Sequence, residues 1–379
     1  MKIGILCYPT FGGSGVIATE LGKALAEKGH SVHFITYSQP VRLEHFIENV
    51  FYHEVSVADY PLFEYAPYET ALTSKLVDVA RFEKLDIVHV HYAIPHASVA
   101  YMAKKIMESQ GLKLPFITTL HGTDITLVGK NESYNPVVTF AINQSDAVTS
   151  VSNSLKIETY KHFNIQKEIE VIPNFIDLRR FNKQRRDHFR RAIAPNNERL
   201  VVHASNFRPV KRVGDVVKVF HNISKVIPSK LLMIGDGPQR DRIEKECRET
   251  SDCENIRFLG KIDVVEEILS ICDLFVLPSE SESFGLAALE AMACQVPVIS
   301  TNTGGLPEVI KQGYNGFMSN VGDIEDMSKN AIHILEDTNR LMTFKSNALS
   351  HAKTFDITNV LPIYEALYKK VLDESNSKN

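Results

Sequence analysis

Short apolar runs and amphipathic stretches alternate along the chain in two successive series. The first opens with Ile3–Cys7, an apolar run of strand length that ends in a glycine-rich turn. A helix is expected over Val16–Lys28, closed by Gly29 in the position of a C-terminal cap. Further strands are expected at Val32–Thr36, Ile87–Val90, Phe116–Leu120 and Ala147–Val151. The last leads into a helix that Ser152 or Asn153 can cap. Strands apolar on both faces, separated by amphipathic helices, indicate a parallel sheet covered on both sides.

The pattern restarts after Val171-Ile172-Pro173-Asn174-Phe175-Ile176-Asp177 and the basic, polar segment Arg179–Arg191. Strands are expected at Leu200–Ala204, Leu231–Gly235, Ile256–Leu259, Leu274–Leu277 and Val296–Ser300, then helices at Ile324–Leu335 and Arg340–His351. The expected fold is α/β: two Rossmann-like, doubly wound domains facing across a cleft, residues 1–172 and 173–358. A last helix, about 359–373, is expected to cross back onto the first domain, and the polar tail Glu374–Asn379 to be disordered.

Composition narrows the class. A chain of 379 residues with 44% hydrophobic and 23% charged residues matches a soluble, two-domain protein. A formal net charge of −4 gives no electrostatic case for nucleic acid or an anionic membrane. No run approaches the ~18–20 apolar residues of a membrane span, and the N-terminus lacks the pattern of a signal peptide. Five cysteines, an odd number with no Cys-x-x-Cys pair, fit free thiols in a reducing cytoplasm.

The candidate chemistry falls at expected strand ends. The run Pro278-Ser279-Glu280-Ser281-Glu282-Ser283-Phe284-Gly285-Leu286-Ala287-Ala288-Leu289-Glu290 is a strand-to-helix turn with Glu282 and Glu290 on either side. A helix start at Leu286 presents free N–H groups that attract an anion. Glu290, one turn on, can accept from sugar hydroxyls. Phosphate at the helix end, ribose on Glu290 and a sugar near Glu282 would describe a nucleotide-sugar. The alternative is an ordinary strand-loop-helix unit with solvated glutamates.

The loop Ser205-Asn206-Phe207-Arg208-Pro209-Val210-Lys211-Arg212 carries three cations at a helix start, where the dipole disfavours them. An anionic partner such as a diphosphate accounts for them better than a solvated basic face. Gly235-Asp236-Gly237-Pro238 and Gly304-Gly305-Leu306-Pro307-Glu308 are further turns of this kind. In the first half, Gly12-Gly13-Ser14-Gly15 matches neither the dinucleotide fingerprint nor a P-loop, and is a substrate-approach loop or a plain tight turn. His121-Gly122-Thr123-Asp124 places a histidine where it can meet a substrate hydroxyl or cap the next element. Tyr92, just past the strand holding His89 and His91, is placed to contact substrate. No Asp-x-Asp pair occurs, which argues against a carboxylate-held Mg²⁺ or Mn²⁺.

Together these motifs resemble glycosyltransferase family four, retaining enzymes of GT-B architecture. The likeness is carried by Glu282-x7-Glu290 around Ser283-Phe284-Gly285, by Gly304–Glu308 and Gly235–Pro238, and by the linker Val171–Asn174. Within the family, Cys7–Val16, His89-Val90-His91-Tyr92 and Ser205–Arg212 resemble one branch. That branch moves N-acetylglucosamine from UDP to the hydroxyl of L-malate in bacillithiol synthesis. The resemblance implies UDP-GlcNAc and L-malate as substrates and no cofactor or metal. It is compatible with a homo-oligomer.

It also implies residue roles. His121, Glu282, Arg208 and Lys211 would be catalytic. Gly13, Asn206, Arg212, Gly235, Phe284, Gly285, Leu286 and Glu290 would bind the nucleotide-sugar. Ser14 and Tyr92 would border the acceptor. Alternatives are another UDP-sugar transferase of the family with a different small acceptor, a UDP-GlcNAc epimerase, or a non-enzymatic nucleotide-sugar sensor.

Overall fold

The computed structural model describes residues 1–10, 12–43, 46–57, 64–127, 131–183, 187–249 and 253–377. Phe11 in the first loop and 184–186 in the basic segment lie outside the described residues. The chain divides into two units, Met1–Asn174 with Ile357–Asn379, and Phe175–Asp356. The cuts follow Asn174 and Asp356, against the expected 172 and 358.

Among its described residues unit 1 holds seven strands: β1 Lys2–Leu6, β2 Ser31–Thr36, β3 Val50–Glu54, β4 Ile87–His91, β5 Phe116–Leu120, β6 Ala147–Ser150 and β7 Ile169–Val171. They form one parallel sheet in the order β3-β2-β1-β4-β5-β6-β7. Its centre is buried on both faces. On one side Val88, Val90 and Phe116 pack with Leu72 and Leu76 of the helix Tyr68–Glu83 and with Ala100 and Ala103 of the helix Ser98–Glu108. Ser152 caps the helix Asn153–His162, its Oγ accepting from the Leu155 N–H at 3.1 Å.

Unit 2 holds β8 Arg199–Ala204, β9 Ser229–Ile234, β10 Ile256–Gly260, β11 Leu274–Leu277, β12 Val298–Thr301 and β13 Gly316–Ser319. All pair in parallel, in the order β10-β9-β8-β11-β12-β13. Val201, Met233, Val276 and Ile299 pack with Val216 and Phe220 of the helix Val213–Ser224 and with Ala331 and Ile334 of the helix Ile324–Glu336.

Three strands go beyond those expected. β3, β7 and β13 all lie at sheet edges. One side of an edge strand faces solvent, so none shows the continuous apolar run of a central strand. The tail corrects the expectation of disorder, because the last helix runs Ile357–Ser377. Tyr364 and Tyr368 bury that helix in unit 1, and Lys113 Nζ donates to the Ser375 carbonyl at 2.6 Å.

In each unit the strand order reverses beside the first strand, between β1 and β4 and between β8 and β11. The loops leaving these strands diverge to opposite faces of the sheet and leave a crevice at its carboxyl edge. Gly13, Ser14 and Tyr92 follow β1 and β4, and Asn206, Arg208, Lys211, Arg212, Glu282, Phe284 and Gly285 follow β8 and β11, with Leu286 and Glu290 in the helix behind; His121 follows β5 and Gly235 follows β9, each one strand over.

Candidate functional site

In unit 2 the basic loop leaves β8. Phe207 anchors it, fully buried, and His203 holds its root. His203 Nδ1 donates to the Val276 carbonyl at 2.8 Å, so Nε2 accepts from Ser205 Oγ at 2.8 Å. Phe207 and Arg212 take left-handed backbone conformations, φ +42° and +49°, at either end of the cationic stretch. Each costs of order 1 kcal/mol, the kind of strain that persists where a loop is held for a purpose. Gly235 lies beneath this loop. A Cβ there would stand 1.7 Å from the Ser205 carbonyl oxygen, so Gly235 serves the close approach of the two loops.

Two of the three cations have partners inside the unit. Lys211 Nζ donates to Glu282 Oε1 at 2.6 Å, and Arg212 Nε to Asp215 Oδ2 at 2.6 Å. Asp215, in the first turn, and Glu282 thus neutralise part of the charge at this helix start. Arg208 and Asn206 are exposed, and Arg208 makes no ion pair among the described residues.

Glu282 is held from two sides. Ser279 Oγ also donates to its Oε1, at 2.8 Å. Its carbonyl accepts from the Gly305 N–H at 2.8 Å, and a Cβ on Gly304 would stand 1.9 Å from that carbonyl. The Gly304-Gly305 turn therefore seats the Glu282 backbone. Gly285 is the cap of the helix Leu286–Ala293. Phe284 is buried edge-on against Phe355, centroids 5.7 Å apart, so its ring belongs to the core and only its backbone is left for a ligand. Glu290 is buried on the next turn, 8% exposed.

In unit 1 the loops after β1, β4 and β5 meet. Ser14 Oγ and Tyr92 OH are 2.8 Å apart. Gly13, exposed, opens the helix Gly13–Glu27 beside them. Asp124 ties two strand ends together, accepting from the Ala93 N–H at 2.9 Å and the Gly122 N–H at 3.0 Å. Burial raises its carboxyl to about 6, opposed by those backbone donors. The His121 ring lies 5.4 Å from that of Tyr92, centroid to centroid, and its Nε2 is 2.8 Å from His91 Nδ1. The rings of His89, His91 and His121 stack, with centroids 4.5 and 5.0 Å apart. Burial lowers His121 and His89 to about 3 and His96 to about 4, so all three are neutral. Sequence reasoning treated His91 as a strand residue and missed this cluster. The only signal was the repeated spacing of His89 and His91, which puts both on one face of β4.

Away from these loops, His33, His53 and Glu83 form a group with metal-ligand chemistry. His33 Nδ1 and His53 Nε2 face each other at 3.0 Å, a hydrogen bond in which one nitrogen keeps its proton. That bond accounts for the pair without an ion. No helix among the described residues is long and apolar enough to cross a membrane.

Residues 11–180 match the family described as Glycosyltransferase Family 4, and residues 184–351 match Glycosyl transferases group 1. The chain is 45% identical over 381 residues to the N-acetyl-alpha-D-glucosaminyl L-malate synthase of Bacillus anthracis, covering 100% of this chain and 99% of that one. Sucrose-phosphate synthase from Thermosynechococcus elongatus shares the fold, with a TM-score of 0.80 at 20% identity over 99% of this chain and 100% of that one. So does Anabaena HepE, in a complex with UDP and glucose, with a TM-score of 0.80 at 21% identity over 97% and 99%. Two parallel sheets with candidate groups at their switch points, both family matches and a full-length relative agree: the chain belongs to glycosyltransferase family four and is a hexosyltransferase of the two-domain GT-B fold.

Proposed function

We propose that the enzyme transfers N-acetylglucosamine from UDP-GlcNAc to the hydroxyl of L-malate, with retention at the anomeric carbon and without a metal ion. The observation that carries the substrate assignment is the full-length relative that bears this activity in its name. The geometry of each unit supports it. In unit 2 the N–H groups of Gly285 and Leu286, with Arg208, Lys211 and Arg212, meet the diphosphate and stabilise charge growing on it as it leaves. Asn206 and Gly235 shape the same loop. Glu290 accepts from the ribose hydroxyls, and Glu282, held by Lys211, accepts from the transferred sugar. In unit 1 His121 donates to a sugar hydroxyl, and Gly13, Ser14 and Tyr92 border the acceptor. The departing phosphate takes the acceptor's proton on the same face of the sugar, so no protein carboxylate acts as nucleophile. Cations do the work that Mg²⁺ does elsewhere.

UDP release with and without malate tests this. Release that requires malate, with formation of the α-glycoside, supports transfer. Product formed without acceptor indicates an epimerase. Tight UDP-GlcNAc binding with no UDP release indicates a sensor. Release with a different hydroxy acid only indicates another acceptor.

A further inference from the structure

We infer that His91 is a positioning residue: its Nδ1–H donates to His121 Nε2 and so fixes His121 as the tautomer that presents Nδ1–H to substrate. The inference rests on the proposed role of His121 as a donor to the sugar.

The argument is one of proton placement. His91 Nδ1 and His121 Nε2 are 2.8 Å apart, so one of the two carries the shared proton. Both residues are buried, and burial drives both rings well below the ordinary histidine range, so each carries a single proton. The other nitrogen of His91, Nε2, is buried with no hydrogen-bond partner among the described residues. If His91 carried its proton there, a buried N–H would be orphaned. If the proton is on Nδ1, only a lone pair is left unpaired. Orphaned buried N–H groups are the rarer and costlier case. His91 is therefore the donor, His121 accepts at Nε2, and the single proton of His121 is on Nδ1.

The surroundings keep this arrangement in place. His96 Nδ1 donates to the His91 carbonyl, and that bond holds the end of β4. His89 stacks on His91, and both its nitrogens are engaged, Nδ1 with Tyr368 OH at 2.7 Å and Nε2 with Thr119 Oγ1 at 2.7 Å. His91 thus has no second partner with which to exchange its proton, whereas Nδ1 of His121, which makes no hydrogen bond among the described residues, is not fully enclosed, so a proton there can meet solvent or substrate. The last helix contributes through Tyr368, so its docking on unit 1 supports the histidine stack from behind.

Long-range proton–nitrogen correlation of the full-length protein with ¹⁵N-labelled histidine reads the tautomer directly. The His121 signals are identified by their loss in His121→Gln. The expected pattern is a protonated Nδ1 and an unprotonated Nε2; the reverse pattern overturns the inference. This measurement uses no substrate, so it stands whether or not malate proves to be the acceptor. Steady-state kinetics with UDP-GlcNAc and malate then test the role. His91→Leu is expected to lower kcat about five- to tenfold, the size of one net hydrogen bond, with UDP affinity unchanged. His91→Asn, which keeps an amide donor near the position of Nδ1, is expected to recover most of the loss. Wild-type turnover in His91→Leu, or equal loss in both variants, overturns the role. If His91→Leu fails to fold, the tautomer in wild type and the kinetics of His91→Asn decide.

Discussion

Lys211 and Glu282, 71 residues apart, form a 2.6 Å ion pair between the loop after β8 and the loop after β11. Both side chains are largely shielded, with 19% and 13% exposure. The pair spans the switch point of unit 2 and joins two groups assigned different tasks, one to the diphosphate and one to the sugar. Removing either strips the other of its partner, so their effects on turnover will not add. Arg208, exposed and outside any ion pair among the described residues, is the independent cation.

Arg208→Ala is expected to reduce kcat by about 3 kcal/mol in barrier, by analogy with a lost oxyanion donor, and to leave the melting temperature unchanged. A cycle of Lys211→Ala, Glu282→Gln and the double variant should show marked coupling in kcat. Normal kcat in Arg208→Ala, or strict additivity in the cycle, counts against the assignment.

The two glutamates should separate by ligand. In the proposed arrangement Glu290 acts through the ribose, which UDP retains, so Glu290→Ala should weaken UDP binding. In the same proposal Glu282 acts through the sugar, which UDP lacks, so Glu282→Ala should slow transfer while UDP affinity stays near wild type. Calorimetric titration of UDP into both variants decides; equal losses refute the division.

Activity is expected to survive EDTA. In the proposed arrangement the cations of the β8 loop and the start of the helix Leu286–Ala293 oppose the diphosphate charge. Loss of turnover on chelation, restored by Mg²⁺ or Mn²⁺, would show that phosphate neutralisation is assigned to the wrong groups.

Asp124 gives a pH dependence with a defined sign. Its carboxyl lies at about 6 in the folded state, above the ordinary 3.8, so the folded state holds this proton longer than the unfolded state. The resulting stability is fully present below pH ~3.8 and is lost as pH rises to about 6. Asp124→Asn removes this dependence. Relative to wild type, the variant should gain about 2 kcal/mol in unfolding free energy between pH 4 and pH 7. Urea unfolding at several pH values measures the gap; a difference independent of pH would contradict the raised carboxyl. The variant also loses one acceptor for the Ala93 and Gly122 N–H groups, so a constant offset is expected in addition.

Much of this architecture was legible along the chain. Central strands such as Leu274–Leu277 are buried on both faces, and that demand makes them apolar throughout; Phe116–Leu120 is equally buried, and its two polar residues are hydrogen-bonded, Thr118 to Ser145 and Thr119 to His89 and Thr149. Loops rich in glycine, serine and charge between such strands and a following helix can only lie at the sheet's carboxyl edge, which put Tyr92, His121, Arg208 and Glu282 in the right class of position. Sequence period reports which face a residue takes, not which residue it meets. The tertiary structure alone decided that Glu282 answers Lys211, that Ser14 meets Tyr92 from 78 positions away, and that His91 backs His121 from 30. It turned Phe284 into core against Phe355 and enclosed Glu290. It also added the edge strands β3, β7 and β13, because an edge needs partners on one side only and so leaves no continuous apolar signature. Local chemistry set the menu of groups at each strand end. Packing of segments distant in sequence chose the pairs, because a hydrogen bond or an ion pair is specified by angstroms in space and not by spacing along the chain.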